Sequence, residues 1–406
     1  MRTSLYLLAA LLFGTGLLAQ QPNDHSPYAG TLRSFTRWYT RDAPDSIYTL
    51  FNDRVKAQLT MDSWRAAFPQ IKGALGAIDI FDLDATGKGY VNYIVFGSKG
   101  AMGLLLSMDS SYRIQGIFPR QNPARSSYHT NYKVHTPDGD LSGELVMPVH
   151  AAGTKPPVVL IIAGSGPTDR NGNNAIGLRT DCYKLLASGL AERGIASLRY
   201  DKRWIGESTH FKGLLDSLRF EDYVNDAKTC IRQLKKDTSF SSVFVIGHSE
   251  GALIGAIVAR EEKVSGFVSL AGAGVPAETI LRRQMVRIGL DNAGVEKMMD
   301  SLKKGKELYM ATWNKYDPAR EIARLEMPVS IIQGLRDLQV GKEDAEKLQA
   351  AAPNASLLYM DSMNHVLKNA PADREGNLAT YARPEILLYA DLVPAIEAFI
   401  KGRRRR

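Results

Sequence analysis

The sequence predicts an α/β fold: a mostly parallel eight-stranded sheet with helices on both faces and a helical cap, preceded by a small α+β unit. Three observations carry this. From Tyr132 onward, short apolar runs alternate with helical segments, the pattern of a parallel sheet covered on both sides. Between Pro276 and Pro328 the chain is helical and methionine-rich with no strand, as expected of a cap over the carboxyl edge of such a sheet. Residues 28–120 follow another style, helical patterns first and then a meander of short strands.

The first twenty residues, MRTSLYLLAALLFGTGLLAQ, combine a basic start, an apolar stretch from Leu5 to Leu18 and a small-residue site near Ala19. That is the pattern of a secretory leader over residues 1–20, and it predicts an exported protein, periplasmic or extracellular. The apolar run is shorter than the ~20 residues that cross a bilayer, and no later segment is long or apolar enough, so no stable membrane insertion is expected. In the small unit, helical patterns lie around DSIYTLFNDRVKAQLT and MDSWRAAFPQI, and four strand-like runs include YVNYIVF, GLLLSM and YRIQGIF. DLDATGKGYVNY (82–93) places Asp82, Asp84 and Gly87 at calcium-loop offsets, but Tyr93 stands where a bidentate Glu is required, so a hairpin is the better reading. PRQNPARSS (119–127) reads as a linker.

The larger domain is expected over residues 130–402. Tyr132–Thr136 and Leu141–Met147 flank a Pro-Asp-Gly-Asp turn and form a hairpin. Six apolar runs follow: Val158–Ile162, Ala196–Tyr200, Val243–Ile246, Gly266–Leu270, Val329–Ile332 and Ser356–Met360. The third leads into Gly-His-Ser-Glu-Gly (247–251) and then an Ala/Ile-rich helix. By composition alone Gly-x-Ser-x-Gly arises in roughly one chain of this length in seven, so the flanking strand and helix have to carry the reading. A strand, sharp turn and helix would lift the Ser249 hydroxyl above the sheet.

A serine hydroxyl is a weak nucleophile without a histidine to take its proton and a carboxylate to hold that histidine's tautomer. Of seven histidines only His365 follows Ser249, in the loop after the last apolar run. Asp337, in VSIIQGLRDLQV, is the expected acid; Asp361, in the loop of the histidine itself, is the alternative. The loop AGSGPTDRNG (163–172) offers Ser165 as one backbone donor to a developing oxyanion, with Glu250, after the serine, as the other. No Gly-Lys-Ser/Thr follows that loop, which excludes a phosphate cradle.

The formal charge of +8 is concentrated at the ends. Arg2 lies in the expected leader, and Lys401 with Arg403 to Arg406 forms a basic tail (403–406 beyond the larger domain); without these six the balance is +2. A nearly neutral body excludes a nucleic-acid-binding face. No CxxC or HExxH occurs, and no metal or cofactor is expected.

Together GSGPTDRNG, YDKRWIGES, GHSEG, QGLRDLQV and MNHVLK resemble the α/β-hydrolase superfamily. More narrowly the chain is similar to two-domain bacterial esterases with a small NTF2-like amino-terminal domain, related to the serine aminopeptidase S33-like group. The resemblance implies Ser249, Asp337 and His365 as a triad and hydrolysis of short acyl esters, small molecules, without cofactor. The family has glycine at the position of Trp204. It also implies that the helices carrying Cys182 and Cys230 cover opposite faces of the sheet, too far apart to bridge. Met285 and Trp313 of the cap are expected to bind substrate, because the apolar cap residues suit an acyl chain and the cap's eight acids against ten bases do not favour an ammonium; Trp204 is expected to bind substrate with them. An S33-like aminopeptidase or other acyl-transfer enzyme is the alternative; a non-catalytic binding protein has no need of all three triad groups. The oligomeric state is left open.

Overall fold

The computed structural model describes residues 27–402, apart from 77, 88–89, 98–101, 122–126, 149–154 and 288. Residues 1–20, expected to be a leader, and the arginine tail lie outside these residues. The chain divides into two compact units between Thr130 and Asn131.

The smaller unit opens with helices Pro27–Thr40, Pro44–Tyr48, Asp53–Gln58 and Met61–Leu75. Strands β1 (Ile78–Gly87), β2 (Tyr90–Gly97), β3 (Met102–Asp109) and β4 (Ile114–Gln121) form an antiparallel sheet in that order. Two differences from the sequence reading stand out. The helix Pro27–Thr40 was not foreseen, and the pattern around residues 45–60 is not one helix but two. Asn52 breaks it by capping the second, its side chain accepting from the Val55 N–H at 3.1 Å. Phe35, Tyr39, Trp64 and Phe68 of the helices, with Phe51 from the loop between two of them, close over Leu104, Leu106 and Met108 of β3. The 82–93 segment is the β1–β2 hairpin, as expected.

In the larger unit β5 (Ser127–Thr136) and β6 (Gly139–Pro148) precede six strands: β7 (Val158–Ile162), β8 (Ala196–Tyr200), β9 (Val243–His248), β10 (Gly266–Leu270), β11 (Val329–Gly334) and β12 (Ser356–Met360). Their order is β12-β11-β10-β9-β7-β8-β6-β5. β6 pairs antiparallel with β8, and the pairs from β8 through β7 to β12 are parallel. With helices on both faces, this is the α/β-hydrolase architecture. Alternate residues of the central strand serve opposite faces: Val158, Leu160 and Ile162 pack with helix Phe220–Lys236, Val159 and Ile161 with helix Cys182–Ala191. Cys230 and Cys182 therefore lie in separate cores, both buried and unpaired.

The chain leaves β7 for β8 on one side and returns past it to β9 on the other. That reversal opens a crevice at the carboxyl ends of β7 and β9, where a parallel sheet binds ligands. Four helices between β10 and β11 form the cap: Ala277–Arg287, Asn292–Gly305, Glu307–Trp313 and Pro318–Ile322.

Candidate active site

Ser249 sits between β9 and helix Glu250–Glu261 with φ 56° and ψ −121°, a conformation an L-residue adopts only under constraint. The constraint is visible. The Ser249 N–H donates to the Leu270 carbonyl at the end of β10 (3.0 Å), and the Ser249 carbonyl accepts from the Ala252 N–H (2.9 Å). A methyl on Gly251 would strike the Ile162 carbonyl, and one on Gly247 would strike that of Gly251, so both flanking positions require glycine for helix and strand to approach this closely.

Asp337 follows β11, and His365 follows β12. His365 Nδ1 lies 2.7 Å from Asp337 Oδ2. The other Asp337 oxygen accepts from the backbone N–H groups of Gln339 (2.7 Å) and Val340 (2.9 Å), which leaves Oδ2 aimed at the imidazole. The two loops are tied directly, Leu335 N–H to the Met360 carbonyl and Arg336 N–H to the Met363 carbonyl. Asp337 is buried, whereas Asp361 is exposed. Of the two candidate acids, the structure brings Asp337 to the histidine.

A second histidine supports the first. His248 Nε2 lies 2.8 Å from the His365 backbone carbonyl, which can only accept, so Nε2 carries the proton. Nδ1 then accepts from the Tyr183 hydroxyl (2.7 Å), and that hydroxyl in turn accepts from the Gly164 N–H (3.0 Å). Burial first, and then the charge of neighbouring His365, push the His248 imidazole down to about 3, so it stays neutral. This chain of hydrogen bonds links the loop after β7 to the loop carrying His365.

The loop after β7 is also anchored from below. The Arg170 guanidinium meets Asp201 Oδ2 at 2.6 Å and the Gly143 carbonyl at 3.1 Å, and its backbone N–H meets Asp201 Oδ1 at 2.7 Å. GSGPTDRNG and YDKRWIGES are thus two halves of one clamp. Trp204 keeps the backbone that a glycine would adopt, φ 61°, and its ring packs against Phe211 with centroids 5.9 Å apart. Gly164 presses on the serine: a Cβ there would stand 3.1 Å from Ser249 Cβ. Ser165 faces the same cavity as Ser249, and Glu250 opens its helix, so its N–H lies among the amides that have no acceptor within the helix.

Ser249, Ser165 and His365 line one cavity of about 280 Å³. Its walls are Ile176, Leu178, Val366, Leu378 and Tyr381, and among the described residues lining it none is Asp, Glu, Lys or Arg. Cys182 also reaches it, but burial pushes that thiol up to about 12, which leaves it protonated. Trp204, Met285 and Trp313, expected to bind substrate, do not line it. Met285 and Trp313 are buried where the cap packs on the sheet's core, Trp313 stacking on Phe220 with centroids 6.1 Å apart. The apolar cap residues are used in holding the cap down, and the cavity wall comes instead from residues 174–180 and 378–382. Nothing in the sequence marked those segments as lining. Tyr183 carried no signal either; His248 and Lys202 stood inside the motifs GHSEG and YDKRWIGES, which by themselves gave neither residue a role. Among the described residues no group of three or more His, Cys, Asp or Glu is placed to hold a metal.

A family model, described as Serine aminopeptidase, S33, matches residues 177–306, which include Ser249 and most of the cap. Esterase EstD of Thermotoga maritima is 28% identical over 371 residues, 82% of this chain and 86% of that protein. Among solved structures, the Pyrococcus furiosus esterase Pf2001 is 18% identical with a TM-score of 0.49, covering 68% of this chain and 92% of that one. Est1E from Butyrivibrio proteoclasticus is 16% identical with a TM-score of 0.46, covering 67% of this chain and 98% of that one.

Proposed function

From an α/β-hydrolase with an Asp–His pair and a strained serine at one cavity, we propose that this chain is a secreted serine hydrolase cleaving short acyl esters. The observation that carries the substrate class is the cavity lining. It is largely apolar and holds no carboxylate, so it offers a neutral acyl ester a fit and a substrate ammonium no counter-charge. The likeness to Esterase EstD over most of both chains supports the same reading. A volume of about 280 Å³ lies at the small end of ligand pockets, which favours short acyl groups. Export rests on the leader pattern of residues 1–20 alone.

The proposed mechanism uses the three groups in turn. Ser249 Oγ attacks the ester carbonyl while His365 Nε2 takes its proton, and Asp337 holds the imidazole by Nδ1 and stabilises the imidazolium. The carbonyl oxygen becomes an oxyanion, received by the N–H groups of Ser165 and Glu250. Collapse breaks the bond to the leaving alcohol, which takes the proton from His365 and departs, leaving the acyl group on Ser249. Water then repeats the sequence with His365 as base, releasing the acid and restoring the serine.

The S33 description of the family model keeps aminopeptidase activity as the competing outcome. p-Nitrophenyl acetate and butyrate should turn over at least about a hundredfold faster than proline or alanine p-nitroanilides with free amines, and blocking the amine should cost little. Efficient anilide cleavage that is lost on blocking would overturn the ester reading.

A further inference from the structure

We infer that Lys202 is a positioning residue of the oxyanion hole, acting through the Gly164–Ser165 peptide; the inference rests on the ester-hydrolase reading. Its ammonium donates to the Gly164 carbonyl and lies 3.5 Å from the Gly166 carbonyl and 3.2 Å from Glu250 Oε2. The side chain is 3% exposed, and the ammonium stands 4.9 Å from the centroid of the Tyr223 ring. Glu250 is as deeply buried, and its other oxygen accepts from the hydroxyl of Tyr309, on the cap helix Glu307–Trp313.

The Gly164 carbonyl and the Ser165 N–H belong to one planar trans amide, so they point in opposite directions. Holding the carbonyl therefore sets the direction in which the N–H is presented to substrate. A cation on the carbonyl oxygen also draws electron density from the amide, and its N–H becomes a stronger donor. The Gly164 N–H on the other side is held by Tyr183 at 3.0 Å, which leaves this stretch of backbone little freedom to rotate. Through Glu250 the same ammonium grips the residue that supplies the second donor. One buried cation thus joins the two backbone segments whose spacing defines the hole.

Stability alone is a poor reason for this arrangement. A buried ion pair costs desolvation on both partners, and apolar residues of similar volume usually serve a core as well. Here every acceptor facing the ammonium belongs to the loop after β7 or to Glu250.

Two variants test the inference: Lys202→Met, and Lys202→Met with Glu250→Gln, which removes both charges and keeps the Glu250 backbone donor. Each is assayed with p-nitrophenyl butyrate and with an alkyl trifluoromethyl ketone, whose adduct with serine carries an oxyanion. Both variants should lose roughly 10- to 100-fold in kcat with KM within about twofold, and bind the ketone more weakly by a similar factor. Should the single variant fail to fold, the charge-balanced double variant decides. Wild-type kcat and ketone affinity in the double variant would show that Lys202 only neutralises Glu250, and a loss confined to KM or to melting temperature would equally overturn the role. The premise is read separately, by fluorophosphonate labelling of the wild type; if that labelling fails, the ester-hydrolase reading falls first.

Discussion

The serine turn and the cap make an instructive pair, because Ser249 was placed from its flanking strand and helix and the cap residues from side-chain type, and only Ser249 lines the cavity. At the turn, the placing of the serine is a property of the local backbone. Gly247 lies in β9, Gly251 in the helix that follows and Ser249 between the two elements, whose close approach forces Ser249 into its positive φ. In the cap the same residues that suit an acyl chain also suit a core. Met285, Met299 and Trp313 are spent on packing helices against the sheet, and the cavity wall is built by Ile176, Leu178, Leu378 and Tyr381. A hydrophobic side chain carries no mark of whether its neighbour will be protein or ligand.

The turn is tested by removing its chemistry. Ser249→Ala should abolish fluorophosphonate labelling and lower ester turnover by about 10⁶-fold with the fold intact, read by labelling and by circular dichroism. Asp337→Asn should cost about 10⁴-fold by presenting His365 in the wrong tautomer, while Asp361→Asn changes turnover less than twofold or so. A severe Asp361 variant beside a mild Asp337 variant would reverse the choice of acid made by the 2.7 Å contact.

The contrast between cap and wall sharpens with a pair of substitutions. Leu178→Trp fills the cavity and should shift preference from butyrate toward acetate esters by roughly tenfold. Met285→Ala should lower stability by about 2–5 kcal/mol in denaturant titration and leave the butyrate-to-acetate ratio within about twofold. If the ratio follows Met285 and ignores Leu178, the cap and not the 174–180 segment lines the acyl site.

The smallest effect concerns His248. Its folded imidazole resists protonation down to about 3, whereas the unfolded chain takes up a proton near the ordinary value of 6.5. Between these limits the unfolded state binds more protons, so stability rises with pH and is lost on acidification, by at most about 1.4 kcal/mol per pH unit. His248→Gln should remove close to one proton from the pH dependence of unfolding between about pH 4 and 6. An unchanged slope would mean that His248 is not held neutral by burial.

Much of the site was legible because it follows chain order. Ser249, Asp337 and His365 each follow the carboxyl end of a strand of a parallel sheet, and apolar runs show where such strands end. The two unlinked cysteines were legible only through the resemblance, and the helix Pro27–Thr40 and the break at Asn52 were missed because short amphipathic stretches bounded by Pro and Asn read ambiguously.

By itself the sequence determined the alternation of strand and helix, the strained serine turn, and the chain order of the proposed nucleophile, acid and base, since these depend on neighbours along the chain. Only the tertiary structure decided that Asp337 and not Asp361 meets the imidazole, that Tyr183 and His248 connect two loops, that Lys202 lies behind the Ser165 amide, and that the cap residues face a core. Those are contacts between segments tens of residues apart. Whether a side chain ends against a carboxylate, a carbonyl or an open cavity is set by packing, which periodicity and composition do not encode.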